Sequence, residues 1–143
     1  AKQKLVCYGS RTTLLGAEDF DLLPHFAALL VAYLLALPIG WNREKEERSA
    51  GLRTFPLVAV ASCGFIQAVE GIIVGQPEAT ARVVEGLITG MGFIGGGAIL
   101  KVRDSVKGTA TAASLWVTGA IGTAVGLGAL DVAVVLTVMA FVT

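Results

Sequence analysis

The sequence is poor in charged residues. Only 15% of its 143 residues are charged, and 11 basic residues balance 11 acidic ones. Soluble domains average about 25% charged residues, and surfaces that bind nucleic acid are usually basic. The composition therefore argues against an ordinary soluble domain and predicts no nucleic-acid partner.

Histidine and cysteine are also scarce. His25 is the one histidine, and Cys7 and Cys63 are the two cysteines. Two cysteines cannot make a multi-bridge disulfide framework, and one histidine cannot make a histidine-rich metal cage. The glycines of residues 92–97 lie inside an apolar segment rather than after a strand, so they do not form a nucleotide-binding loop. We therefore predict no enzymatic activity and no obligatory cofactor.

Long apolar segments are what the sequence has in abundance, with 55% hydrophobic residues and a mean hydropathy of +0.75. A helix that spans a bilayer needs about 20 mostly apolar residues. Four segments meet this need, at residues 22–41, 54–74, 83–100 and 110–130. Residues 132–142 are also apolar but stop about ten residues short of a full crossing. The alternative for the first segment, a secretory signal peptide, has a shorter apolar region of about 7–15 residues.

These segments predict an all-α fold, a polytopic transmembrane helical bundle with four full spans plus a short or truncated fifth. Residues 22–143 form the transmembrane domain, and residues 1–21 form a polar N-terminal arm. Thr54 is the expected N-cap of the second span, with Pro56 in its first turn, where a missing N–H is tolerated.

Glycine spacing predicts close packing between these helices. Gly122 and Gly126 in the fourth span have the small-xxx-small spacing that lets helix backbones approach each other. The third span is richer still, with Gly86, Gly90, Gly92, Gly95, Gly96 and Gly97. Such packing is compatible with a homo-oligomer. The alternative is that the third-span glycines line a narrow path, as in some transporters.

Basic residues predict the orientation. Residues 42–53 contain four Lys or Arg, residues 101–109 contain three, and residues 75–82 contain one. Because Lys and Arg concentrate in cytoplasmic loops, the first two loops are expected in the cytoplasm and the N-terminus outside. Lys2, Lys4 and Arg11 in the N-terminal arm oppose this assignment.

Four ordered motifs resemble the MgtC/SapB family of bacterial inner-membrane proteins. They are Gly-Trp-Asn-Arg-Glu at 40–44, Gly-Leu-Arg-Thr at 51–54, Gly-Phe-Ile-Gly-Gly-Gly-Ala-Ile at 92–99 and Thr-Ala-Ala-Ser-Leu-Trp at 111–116. The resemblance covers residues 22–131; Phe55-Pro56 and Thr109-Ala110 depart from the family's usual pairs. It implies a multi-pass protein of the bacterial inner membrane, linked to growth under magnesium limitation and, in pathogens, to survival inside host cells. It also implies restraint of the F-type ATP synthase.

Two groups of residues are candidates for function. Glu70 and Glu85 are predicted at similar depths near the outer ends of adjacent spans, with Gln67 nearby. One or two carboxylates plus water suit Mg²⁺, so we expect a weak outer cation site. In the structural alternative, Arg82 pairs with Glu85, and Glu70 is protonated or hydrogen-bonded between helices.

The second group lies at the predicted cytoplasmic ends of the spans, where Arg43, Glu44 and Arg53 are expected to form a salt-bridged cluster. The family motifs extend this functional cluster to Asn42, Arg43, Glu44, Arg53, Thr54 and Thr111. The alternative is that these charges only mark topology and reach into the lipid headgroups.

The function expected from the sequence is that of a regulatory membrane protein. Its expected partners are the lipid bilayer and other membrane proteins such as the ATP synthase. A small-cation (Mg²⁺) transporter or channel is the alternative, and an assembly subunit without activity of its own is a third hypothesis.

Overall fold

The computed structural model describes residues 22–45, 50–102 and 105–143. The predicted N-terminal arm and Cys7 lie outside this part of the chain. The described residues form six helices and one β-hairpin. In chain order they are α1 (Leu22–Lys45), α2 (Thr54–Ala68), α3 (Glu70–Ile73), α4 (Pro77–Gly97), β1 (Leu100–Val102), β2 (Ser105–Lys107), α5 (Thr109–Gly126) and α6 (Leu130–Val142).

The prediction of a helical fold is thus confirmed, but four full spans are not. Among the described residues, α1 alone meets the length and hydropathy expected of a membrane-crossing helix. The apolar helices α2 and α6 have 15 and 13 residues. The longer helices α4 and α5 are less apolar. Helix α4 has glutamate and arginine near its start, and α5 has glycine, serine and threonine along its length.

The second predicted span is broken at Val69. The Val69 amide donates to the Ile66 carbonyl, three residues back, and α3 then begins at Glu70. Such a tight i to i−3 bond is typical of a helix end. The start of α2 also differs from the prediction, since Arg53 rather than Thr54 is the N-cap and no side chain caps the helix. Pro56 does lie in the first turn.

The predicted 101–109 loop is mostly a hairpin. Strands β1 and β2 pair antiparallel, with Leu100 opposite Lys107 and Lys101 opposite Val106. Gly108 then joins β2 to α5 with φ +89°, a left-handed conformation that only glycine adopts without strain.

Helix α5 is the centre of the bundle, in contact with α1, α2, α4 and α6. Close contacts pair Gly122 with Ala59 and Gly126 with Cys63, so α5 runs parallel to α2. Gly64 of α2 meets Leu29, and Gln67 bonds to His25, so α1 runs antiparallel to both. Gly95 and Met91 of α4 meet Ala112 and Gly119, which makes α4 antiparallel to α5 as well.

One end of the bundle therefore gathers the C-terminal ends of α1 and α4 and the N-terminal ends of α2 and α5. We call this the basal end. Residues 50–53, which lead into α2, and the β1–β2 hairpin also belong to it.

The outer surface of the bundle is apolar. Phe93 is 86% exposed, Leu23 79% and Val142 78%, and large apolar side chains are exposed on every helix. Soluble monomers rarely expose contiguous apolar surface on this scale. Such a surface marks contact with a membrane or with another protein.

Candidate functional site

The turn before α2 is fixed by a contact from α1. Glu44 accepts a hydrogen bond through Oε2 from the Leu52 amide at 3.1 Å. Its carboxylate lies directly over Gly51, where an added Cβ atom would have to displace it. Gly40 also touches this turn, because a Cβ atom there would lie 3.3 Å from the Gly51 carbonyl oxygen. The 40–44 and 51–54 motifs therefore meet in space and hold the α1–α2 connection.

Two polar side chains of the predicted cluster are buried at the basal end. Arg43 is 6% exposed and lies at the end of the buried face of α1. Thr111 is 1% exposed and begins the buried face of α5. Its Oγ1 has no hydrogen-bond partner among the described residues. Other buried hydroxyls of α5 do have partners: Ser114 donates to the Ala110 carbonyl and Thr118 to the Ser114 carbonyl.

The remaining members of the cluster are more accessible. Asn42 and Thr54 are half-buried, while Arg53 is exposed at the N-cap of α2. The identified hydrogen bond of Glu44 is to backbone, so its role here is to fix the turn. The predicted salt-bridged arrangement of Arg43, Glu44 and Arg53 remains a prediction.

The exposed basal surface also carries lysine. Lys45 lies over the ring of Trp41, with its Nζ 5.5 Å from the ring centroid. Lys101 and Lys107 are exposed on the hairpin. The basic character expected at this end from residues 42–53 and 101–109 is therefore present on the described surface.

Glu70 of the predicted outer cation site lies at the opposite end, whereas Glu85 is the ninth residue of the 21-residue helix α4, near its middle. Glu70 opens α3 and Glu85 lies on α4, and both side chains are exposed. Gln67 is directed elsewhere, because its Nε2 donates to the His25 carbonyl at 3.3 Å. No group of three or more His, Cys, Asp or Glu side chains suited to a metal occurs in the described part of the chain. A two-carboxylate Mg²⁺ site formed by Glu70 and Glu85 stays a prediction.

The glycines divide into two sets. Gly95 packs against α5, since a Cβ atom there would lie 3.4 Å from the Ala112 carbonyl oxygen. Gly122 and Gly126 contact α2, so their predicted packing role is confirmed. The other five glycines of the third span have open space beside them within the described chain; they are Gly86, Gly90, Gly92, Gly96 and Gly97. A packing role for those five requires a partner from outside the described residues.

Sequence reasoning missed Gly119 and Gly40. Gly119 leaves room for the Met91 side chain of α4, and Gly40 leaves room for the turn at 51–52. Gly40 lies inside a recognised motif and Gly119 lies three residues before Gly122. Their roles depend on which helix faces them, which spacing alone does not give.

Two cavities lie beside α4. One of about 310 Å³ lies between α4, α5 and α6, and one of about 360 Å³ lies between α2 and α4. Both are lined almost entirely by apolar side chains and glycine, with Met91 common to them. Such linings suit acyl chains or another helix.

Comparison with known proteins gives a consistent result. Residues 29–143 match the model of the MgtC family. Protein MgtC of Salmonella typhimurium is 37% identical over 78% of this chain and 47% of its own length. Protein MgtC of Brucella abortus is 41% identical, covering 81% of this chain and 48% of its own length. Protein SrpB of Synechococcus elongatus is 40% identical, covering 70% of this chain and 62% of its own length.

The chain spans about half the length of most of these relatives. No solved structure matches it.

Proposed function

This chain belongs to the MgtC family, and from this premise we propose that it is a multi-pass regulatory protein of the bacterial inner membrane. We propose that it supports growth under magnesium limitation and that its basal end makes the functional contacts. Family membership supports a membrane protein of the MgtC type. The observation that carries the membrane assignment is the apolar outer surface, which has large exposed side chains on every described helix.

The family motifs support the basal end as the functional region. Motifs at 40–44, 51–54 and 111–116 come from three helices that contact one another. Two of them meet directly at the Glu44 to Leu52 hydrogen bond. Their polar side chains lie on the side that the basic loops predict to be cytoplasmic. A partner protein in the membrane, with the F-type ATP synthase as the family's example, would contact the exposed members of this group.

The proposal assigns regulation rather than transport or catalysis. Mg²⁺ is held by oxygen ligands and retained water, whereas the two described cavities are lined mainly by carbon. Liposomes loaded with a Mg²⁺-sensitive dye test this assignment. The expected flux equals that of empty vesicles, and flux above them would establish the transporter alternative.

Arg53→Ala tests the role of the basal end. Arg53 is exposed and provides no side-chain cap to α2, so its loss should leave folding and insertion intact. We expect the variant to reach the membrane at the wild-type level but to lose complementation of low-magnesium growth in a strain lacking its own MgtC-family protein.

Lys107→Ala is the matched control, because it removes an exposed basic side chain from the same end but outside the shared motifs. It should complement growth normally. Normal growth of the Arg53→Ala strain would refute a functional role for this cluster. Co-purification of ATP synthase subunits with wild type, and their loss with Arg53→Ala, would identify the partner.

A further inference from the structure

We propose that the basal end binds a phosphate group in the interior between α1 and α5. Its donors are the Thr111 hydroxyl, the first amides of α5 and the Arg43 guanidinium. The inference does not depend on the regulatory role proposed above, and the phosphate belongs either to a free anion or to a phospholipid headgroup.

The Thr111 hydroxyl is the first observation. Its Oγ1 is buried and has no hydrogen-bond partner among the described residues. Buried hydroxyls are nearly always hydrogen-bonded, so an unsatisfied one indicates a group that is meant to meet it. The Thr118 hydroxyl, on the same helix and equally buried, donates to the Ser114 carbonyl at 2.8 Å. Burial on α5 therefore does not by itself leave a threonine without a partner.

The start of α5 is the second observation. The helix has 18 residues, and Gly108 at its N-cap offers no side chain to cap it. The first amides of such a helix have no partner within the helix, and the helix dipole favours an anion beside them. Thr111 is the third residue of α5, so its hydroxyl and these amides lie within one turn of each other.

Thr111 lies on the face of α5 that contacts α2, beyond the level at which α2 begins. It lies about three turns before Gly122 and therefore on the same face of α5, which contacts Ala59 of α2 at the level of Gly122. Measured from the contact of Ala59 with Gly122 toward the basal end, the first residue of α2, Thr54, lies about 8 Å away. Thr111 of α5 lies about 16 Å from the same contact in that direction. At the height of Thr111 the neighbouring element is thus the turn at residues 50–53.

Arg43 lies at nearly the same height. The contact of Leu29 with Gly64 fixes the level of α1 against α2. The rise per residue along α1 then places Arg43 about 13 Å from the level of Ala59, in the direction of the basal end. This height along the bundle is within one helical turn of that of Thr111. Because α1 and α5 are in contact and both residues are buried, the guanidinium brings positive charge to the interior that Thr111 enters.

The donor set selects an anion rather than a metal. Guanidinium groups and helix amides are donors only, and a threonine hydroxyl donates as well as accepts. Glu44, the one carboxylate that the described residues place at this end, accepts the Leu52 amide. A phosphate oxygen accepts from several donors at once, and arginine together with helix N-termini is its usual protein environment.

Thr111→Val tests the proposal in the full chain purified in detergent. Valine keeps the size of threonine and removes the hydroxyl. Thr118→Val is the matched control, since it removes a buried hydroxyl that already has a partner. Thermal unfolding is followed with inorganic phosphate against chloride at equal ionic strength, and with phosphatidic acid against diacylglycerol of the same acyl chains.

We expect phosphate or phosphatidic acid to raise the midpoint of unfolding for wild type and Thr118→Val. Thr111→Val should need about tenfold more ligand for the same shift, the equivalent of one charge-assisted hydrogen bond. A response to phosphate identifies a soluble anion, and a response to phosphatidic acid alone identifies a lipid headgroup. No response in wild type to either ligand, or an equal response in Thr111→Val, would overturn the site.

Discussion

Among single residues, the glycines determine how closely the helices pack. Gly122 and Gly126 bring the backbones of α2 and α5 together. Gly122 is the tighter of the two positions, because a Cβ atom there would overlap the Ala59 carbonyl. Gly96 on α4 has the same residue type and open space beside it. The two positions allow one substitution to be compared in opposite environments.

We expect Gly122→Ala to lower the free energy of unfolding by about 1–3 kcal/mol, since the added methyl group must displace backbone. Gly96→Ala should leave it unchanged or raise it by up to about 1 kcal/mol through helix propensity. Thermal or denaturant unfolding in detergent measures both. If Gly96→Ala proved as destabilising as Gly122→Ala, α4 would have to pack against a segment outside the described residues.

Sequence motifs selected the residues of the predicted cluster but did not give their surroundings. Arg43 and Thr111 were in the predicted cluster, yet their burial depends on the height at which α1 and α5 pack. Glu44 was predicted to form a salt bridge, and its identified hydrogen bond is to the Leu52 amide. The spacing of side chains does not predict where the backbone amide of a turn will lie, so this contact could not be predicted from the sequence.

At the scale of elements, the ends of the helices decide the architecture. Helix α5 ends in a Schellman motif: the Gly128 amide donates to the Val125 carbonyl and the Ala129 amide to the Ala124 carbonyl. Gly128 has φ +77°, which turns the chain into α6. Gly108 has the corresponding role before α5, where it also lies against the Ala98 carbonyl.

Gly108→Ala should therefore be more disruptive than an ordinary glycine substitution. It places a Cβ atom in the left-handed region, at about 1–2 kcal/mol, and against the Ala98 carbonyl as well. Gly128→Ala is the control, because its φ is similar but its surroundings are open within the described chain. Unfolding midpoints should fall further for Gly108→Ala than for Gly128→Ala, and equal losses would contradict the contact with Ala98.

Apolar periodicity located the helices better than it located their ends. The break at Val69 and the hairpin at residues 100–107 were both missed. Each hairpin strand has only three residues, too few for alternation to be distinguished from a loop. The Val69 break falls between Gln67 and Glu70 inside the predicted second span, and a local i to i−3 bond marks it without a proline.

For the whole molecule, we propose that the bundle lies in a bilayer with its basal end in the cytoplasm. The apolar outer surface supports the bilayer, and the basic residues of the hairpin and of residues 42–53 support the orientation. Both depend on helices α2 to α6 crossing or entering the membrane together with α1. The two ends of the bundle must then differ in their access to water outside the cell.

Cysteine accessibility in intact cells measures this orientation. In a Cys7→Ser, Cys63→Ala background, Gln76→Cys lies between α3 and α4 and Lys107→Cys lies at the basal end; both positions are exposed. A membrane-impermeant maleimide is predicted to label Gln76→Cys in intact cells and Lys107→Cys only after permeabilisation. Labelling of Lys107→Cys in intact cells, or recovery of the chain in the soluble fraction, would contradict the account.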